Sequence, residues 1–117
     1  MAARDLTGAV DFTVLERFTG GDSAVGEEVL DLFTEQAGMW SAALDPAGEG
    51  WRDAAHTIKG AAVSIGAADL ATACGEAETC DDARAAECVE RVRDELNRAL
   101  TDVAAFRHEL MLRSLKG

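Results

Sequence analysis

The sequence has no tyrosine, a single proline and few aromatic residues of any kind, 5% of the chain in total. With so little proline, almost nothing interrupts long helical segments. Residues that favour strands are scattered, whereas alanine, leucine, glutamate and arginine, which favour helix, dominate. We therefore predict an all-α fold. At 117 residues the chain is long enough for one domain with a single core.

Basic residues are also few: 11 Lys and Arg stand against 22 Asp and Glu, which gives a formal charge of −11. A protein that binds nucleic acid needs a concentrated basic surface, and these basic residues are dispersed. No apolar run approaches the roughly 18 residues of a membrane span, and the N-terminal MAARDLTGAVDF lacks the apolar run of a signal peptide. The sequence therefore predicts a cytoplasmic protein that binds neither nucleic acid nor membrane and whose partner is another protein.

Cysteine is limited to Cys74, Cys80 and Cys88, with five and seven residues between them. These gaps match no zinc-binding or thioredoxin-like spacing. Because free cysteine behaves as a small apolar residue, we interpret the three as reduced and mostly buried. The sequence indicates no metal site.

Turn residues divide the chain into one short and four longer segments with helical apolar periodicity. Asp11 can cap a short helix that ends at Gly20 and Gly21 and whose apolar residues share a face: Phe12, Leu15 and Phe18. The second helix begins near Asp22 or Ser23 and ends at the segment DPAGEG. Its predicted core positions are Val25, Val29, Phe33, Ala37, Trp40 and Leu44.

The third helix is predicted from about Glu49 to Ile65, with Gly66 as a break before a shorter fourth helix. The fourth helix carries Leu70, Cys74 and Ala77, and the last runs from about Ala83 to Leu112 with Val89, Val92, Leu96, Leu100 (or Ala99), Val103, Phe106 and Leu110. Short connections between long helices favour antiparallel neighbours. We predict an antiparallel up-down-up-down four-helix bundle over residues 9–112, with a short extra N-terminal helix. Residues 1–8 and 113–117 are expected to be frayed.

One of only two histidines, His56, lies in the third helix, in the stretch WRDAAHTIKGAAVSIGA. At about 100° per residue, the apolar positions of this helix fall on one side, and His56 falls almost opposite them. The apolar side is formed by Trp51, Ala55, Ile58, Ala62 and Ile65, and the side of His56 by Arg52, Lys59, Gly60, Val63 and Ser64. We therefore predict an exposed patch around His56.

An exposed neutral imidazole has a lone pair that can attack phosphorus, so His56 is a candidate phosphoryl acceptor. Lys59 and Arg52 would partly neutralise the phosphoryl charge from adjacent turns. Gly60 costs about 1 kcal/mol relative to alanine in a helix interior, and Val63 is apolar on a face that should be polar, so both indicate a contact surface. His108 lacks such neighbours, and we assign it no role.

The segment AAHTIKGAAVSIGAADLATACGEAE, residues 54–78, closely resembles the histidine-containing phosphotransfer (HPt) domain of bacterial multistep phosphorelays. The pattern of that family is matched by His56, Lys59, Gly60, Ser64, Gly66 and Leu70. The resemblance covers roughly residues 9–112. It implies that His56 accepts a phosphoryl group, on its outward-facing Nε2, from a receiver-domain phospho-aspartate of a response regulator or hybrid histidine kinase. The group then passes to the aspartate of another receiver domain.

The resemblance also implies a phosphocarrier rather than an enzyme, without a cofactor of its own, since Mg²⁺ would belong to the receiver. No phosphate-binding glycine loop for ATP is visible in the sequence, and a monomer is the default expectation. Two alternatives stay open. The first is an HPt-like interaction module that binds and regulates a receiver or kinase without carrying phosphate. The second is a metal-binding or structural bundle, which would require inward-facing ligands that neither histidine provides.

Overall fold

A computed structural model describes residues 8–116, which form five α-helices and no strand. The helices are α1 (Phe12–Phe18), α2 (Ser23–Ala43), α3 (Trp51–Ile65), α4 (Ala68–Thr79) and α5 (Ala85–Lys116), and a 3-10 turn, Asp82–Arg84, precedes α5. The all-α prediction is confirmed. Helix α5 continues four residues beyond the predicted end at Leu112. The domain limits and the fraying of the ends stay predictions, and residues 1–7 and 117 lie outside the described chain.

Two aspartates start the first two helices, as the sequence predicted. The Asp11 carboxylate accepts a hydrogen bond from the backbone N of Thr13 at 3.1 Å, and the Asp22 carboxylate accepts one from the backbone N of Ala24 at 2.9 Å. Each bond satisfies an amide that has no partner within its own helix. Each helix therefore has its own capped N-terminus, and the long α2 is not a continuation of the short α1.

The four long helices contact one another in a ring, α2 with α3, α3 with α4, α4 with α5 and α5 with α2, and α1 packs on α3. The ring encloses one apolar core. Phe12 of α1 stacks on Phe106 of α5, with ring centroids 4.0 Å apart, so that α1 is anchored to the core. The largest fully buried side chains include Leu15, Leu30, Leu44, Ile58, Ile65, Leu70 and Leu96.

Two predicted core residues are instead exposed, Phe18 in α1 and Val25 in α2. Each step of three residues falls about 60° short of a full turn, so Phe18 lies about 120° around α1 from Phe12. Val25 is displaced around α2 in the opposite sense, because each step of four residues exceeds a full turn by about 40°. Leu30, absent from the predicted set, takes the core position instead. In α5, Ala99 rather than Leu100 is fully buried.

Gly66 ends α3 in a left-handed conformation, with φ 85°. Its carbonyl oxygen accepts a hydrogen bond from the backbone N of Asp11 at 2.9 Å, and a Cβ at this position would collide with the carbonyl oxygen of Asp11. Glycine is therefore required here both by the backbone conformation and by the close approach of the segment that precedes α1. This contact fixes the end of the helix that carries His56.

Candidate functional site

Helix α3 has the predicted two-sided character. Its apolar side is buried, with Ala55, Ile58 and Ala62 completely inaccessible to solvent. The His56 side chain lies on the other side and is 74% exposed. The imidazole therefore projects into solvent from the middle of a helix whose opposite face is packed in the core, as the sequence predicted.

The imidazole is held by a carboxylate from the neighbouring helix. Nδ1 of His56 lies 3.2 Å from Oε1 of Glu78, which is on α4. A carboxylate only accepts hydrogen bonds, so this contact favours the neutral tautomer with the proton on Nδ1. Within residues 8–116, Nε2 has no hydrogen-bond partner. Nε2 is therefore the nitrogen with the free lone pair.

Lys59 lies beside the same carboxylate. Its Nζ is 3.7 Å from Oε1 of Glu78, and its side chain is partly exposed. The aliphatic stem of Lys59 passes over Gly75 of α4, since a Cβ added there would lie 3.9 Å from Cδ of the lysine. The structure thus brings His56, Lys59 and Glu78 together on one face of α3 and α4. Sequence reasoning identified the first two and missed Glu78.

Gly60, Val63 and Ser64 continue this face toward the end of α3. A Cβ at Gly60 would meet no atom within 4 Å, so the backbone there is open to solvent. Val63 is 62% exposed. The hydroxyl of Ser64 donates to the carbonyl oxygen of Gly60 at 3.1 Å, and is thus engaged within its own helix. Leu70, the last position of the family pattern, is buried and supports the core.

Arg52 makes its contacts away from the imidazole. Its Nη2 donates to the carbonyl oxygen of Cys80 at 2.7 Å and to the carboxylate of Asp82 at 3.0 Å, and its guanidinium lies over the ring of Trp51. These contacts tie α3 to the C-terminal end of α4. The expected help of Arg52 in neutralising a phosphoryl group stays a prediction.

Other kinds of functional site have less support among the described residues. No group of three or more His, Cys, Asp or Glu side chains among residues 8–116 is arranged to hold a metal ion. His108 is exposed on α5. No helix in this range combines the length and apolar character needed to cross a membrane.

Comparison with known proteins gives a consistent assignment. The family model of the Hpt domain matches residues 26–106. Among solved structures, the fold is similar to the crystal structure of the histidine phosphotransferase ShpA from Caulobacter crescentus, determined at 1.52 Å resolution. The two share a TM-score of 0.80 and 50% sequence identity over 92% of this chain and 99% of that one. A search of curated proteins found no match.

The matched region contains all six positions of the family pattern, from His56 to Leu70. The chain belongs to the Hpt domain family. Members of this family are phosphocarriers in phosphorelays and not kinases with an ATP site of their own. The resemblance found in the sequence is thereby confirmed at the level of the family.

Proposed function

We propose that this chain accepts a phosphoryl group on Nε2 of His56 from the phospho-aspartate of one receiver domain and transfers it to the aspartate of another. The observation that carries the proposal is the exposed imidazole, whose Nδ1 is engaged by Glu78 while Nε2 has no partner in the described chain. The donor would be a hybrid histidine kinase or a response regulator. Both belong to the partner class that the family assignment supports.

In the accepting step, the lone pair of Nε2 attacks phosphorus, the N–P bond forms, and the bond between phosphorus and the aspartyl oxygen breaks. The leaving group is the free carboxylate of the donor, and no proton needs to move. The imidazole ring becomes positively charged because it keeps the proton on Nδ1. The Glu78 carboxylate, 3.2 Å away, would stabilise that charge as it develops. Transfer to the second receiver reverses the same bonds.

Lys59 would neutralise part of the charge of the phosphoryl group, which carries about two negative charges at neutral pH. Its ammonium lies 3.7 Å from the carboxylate that holds His56, on a side chain exposed enough to turn outward. We assign the open backbone at Gly60 to the close approach of the receiver, and Val63 to direct contact with it. Ser64 would support this contact through the Gly60 carbonyl that it engages.

An apolar patch next to this face suits the receiver as its occupant. We define the apolar patch as Phe18, Leu32 and Val63, which are 64%, 53% and 62% exposed. Phe18 and Leu32 line a shallow cavity of about 230 Å³ together with Ser64, the neighbour of Val63. Because the patch adjoins the face that carries His56, a receiver bound there would bring its aspartate to Nε2.

The up-down-up-down arrangement of the four long helices is part of the proposal. Ion pairs and hydrogen bonds between helices support it, because the residue numbers of the partners increase along one helix while they decrease along the other. Between α2 and α5 the pairs are Asp31 with Arg107 and Leu44 with Arg93, and between α4 and α5 they are Asp69 with Arg98 and Glu76 with Arg91. These pairs fit antiparallel neighbours in both cases.

The remaining parts of the proposal follow from the role of a carrier. The chain needs no cofactor, since the Mg²⁺ ion for the reaction would be bound by the receiver, and no ATP site. We propose that it acts as a monomer without binding nucleic acid or membrane. A cytoplasmic location suits its three free cysteines, which are typical of a reducing compartment.

The experiment is transfer from a phosphorylated receiver in the presence of Mg²⁺. The protein should gain label that is stable to alkali and labile to acid, and His56→Gln should gain none. His108→Gln is the matched control and should be labelled like the wild type. Labelling of His56→Gln at the wild-type rate would refute the site. Tight receiver binding without any transfer would instead favour the interaction module.

The docking surface is tested separately from the chemistry. Val63→Glu should weaken receiver binding, measured by titration calorimetry, while Met111→Glu, which alters an exposed apolar residue on α5, should not. Equal affinities for the two variants would exclude the apolar patch as the receiver contact and leave the phosphoryl-accepting role of His56 untouched.

A further inference from the structure

Two cysteine thiols meet at the turn between α4 and α5, away from the phosphotransfer face. Cys80 caps the C-terminal end of α4, and Cys88 lies in the first turns of α5. The two thiols are close enough to interact with each other. Both side chains line an open cavity of about 390 Å³, together with Arg84 and Arg91. The sequence predicts these cysteines only as packing residues, and their shared cavity is a finding of the structure.

The two thiols differ in their surroundings. Cys80 is half-buried. The guanidinium of Arg84 is close enough to interact electrostatically with both thiols. Burial, followed by the hydrogen bond to Cys80, raises the pKa of the Cys88 thiol. This pattern suits Cys80 as the first thiol to react and Cys88 as the second.

We propose that Cys80 and Cys88 are a redox-modification site and form a reversible intramolecular disulfide on exposure to a peroxide. The Cys80 thiolate attacks one oxygen of the peroxide, the O–O bond breaks, and Cys80 becomes a sulfenic acid. The sulfur of Cys88 then attacks the sulfur of Cys80, and the S–O bond breaks with loss of water. In total, two thiols are oxidised, and one hydrogen peroxide is reduced to two water molecules.

The third cysteine provides an internal control. Cys74 lies in the core on α4, the helix that Cys80 caps. Burial raises the pKa of its thiol to about 12, so it remains a protonated thiol at neutral pH. A peroxide should therefore oxidise the pair at the turn and leave Cys74 unchanged.

The experiment treats the full-length protein with hydrogen peroxide, then alkylates it under denaturing conditions and measures the intact mass. Untreated protein should carry three alkyl groups, and treated protein only one, together with the loss of two hydrogen atoms, about 2 Da. Digestion with trypsin and a glutamate-specific protease separates the three cysteines, so the linked peptides should contain Cys80 and Cys88. Dithiothreitol should restore three alkylation sites.

Variants make the result decisive. Cys74→Ala should still lose two alkylation sites on oxidation, whereas Cys88→Ser should form no intramolecular disulfide. Three alkylation sites after treatment, a link that includes Cys74, or a purely intermolecular disulfide would each overturn the proposal. It rests on the placement of both thiols in one cavity at the turn between α4 and α5, and stands or falls independently of phosphotransfer by His56.

Discussion

Oε1 of Glu78 lies 3.2 Å from Nδ1 of His56, and the same oxygen lies 3.7 Å from Nζ of Lys59. A single carboxylate on α4 therefore contacts both His56, the proposed phosphoryl acceptor, and the nearby ammonium of Lys59. Because the carboxylate engages Nδ1, Nε2 is left without a hydrogen-bond partner among residues 8–116. Glu78 is thus a positioning residue. Its replacement should change both the rate of phosphoryl transfer and the tautomer of the His56 imidazole.

Replacing Glu78 with alanine should slow phosphoryl transfer to His56 roughly tenfold, equivalent to about 1.4 kcal/mol of transition-state stabilisation. The ring would lose the partner that fixes its tautomer and stabilises its developing charge. Transfer from a phosphorylated receiver, followed in single-turnover mode, measures the effect. Nitrogen NMR of His56 should show the proton on Nδ1 in the wild type and a mixture of tautomers in Glu78→Ala.

Glu76→Ala is the matched control for this change. Glu76 lies two residues earlier on α4 and pairs with Arg91 instead of His56. It should transfer at the wild-type rate with unchanged His56 resonances. If both variants behave alike, the orienting role of Glu78 is wrong.

Lys59→Ala should slow transfer roughly 3- to 10-fold, because the charge of the phosphoryl group would lose a nearby cation in a partly solvated site. The free energy of unfolding should change by less than about 0.5 kcal/mol, since an exposed ion pair contributes little to stability. Transfer assays and urea denaturation measure the two quantities. Arg91→Ala, which removes a comparable ion pair on α4 and α5, should leave the transfer rate unchanged.

Gly60→Ala should stabilise the fold by about 0.5–1 kcal/mol, because the added Cβ meets no neighbouring atom and alanine is the better helix former. Gly60→Leu should also leave the fold intact but weaken receiver binding, since its side chain would occupy the space that the partner approaches. Urea denaturation and titration calorimetry separate the two effects. Wild-type affinity for Gly60→Leu would show that this backbone is not part of the interface.

Gly66→Ala should have the opposite effect and destabilise the fold by about 2 kcal/mol or more. The left-handed φ of 85° costs an alanine about 1–2 kcal/mol, and its Cβ would displace the backbone of Asp11. The contrast with Gly60→Ala in the same denaturation series is the check. A neutral Gly66→Ala would contradict both causes, the left-handed backbone and the close approach of Asp11.

Much of this site was predictable because it depends on one helix. The period of α3 alone sets which side is buried, so the exposure of His56 follows from the positions of Ile58 and Ala62. The same reasoning failed for Phe18 and Val25, which stand at the ends of their helices, where drift of the apolar stripe is not corrected by later residues. A short periodic stretch therefore predicts the presence of a helix better than it predicts which face of that helix is buried.

Glu78 was missed because its role depends on the register between two helices. The contacts between α3 and α4 turn out to be symmetric about Ala67: His56 and Glu78 each lie 11 residues from it, and Lys59 and Gly75 each lie 8 residues from it. Once Gly66 is taken as the turn of an antiparallel helix pair, this register could be read from the sequence. The hydrogen bonds of Arg52 to Cys80 and Asp82 could not be read from the sequence, because they depend on the path of the chain after α4.

A buried acid links the start of the chain to its longest helix. Asp102 on α5 is fully buried and accepts a hydrogen bond from the backbone N of Val10 at 3.2 Å. The residues just before α1 are therefore fastened to the interior rather than appended to it. For anyone who trims or fuses this domain, the practical boundary lies upstream of Ala9, since a cut between Val10 and α1 would remove a backbone N–H that hydrogen-bonds to a carboxylate in the core.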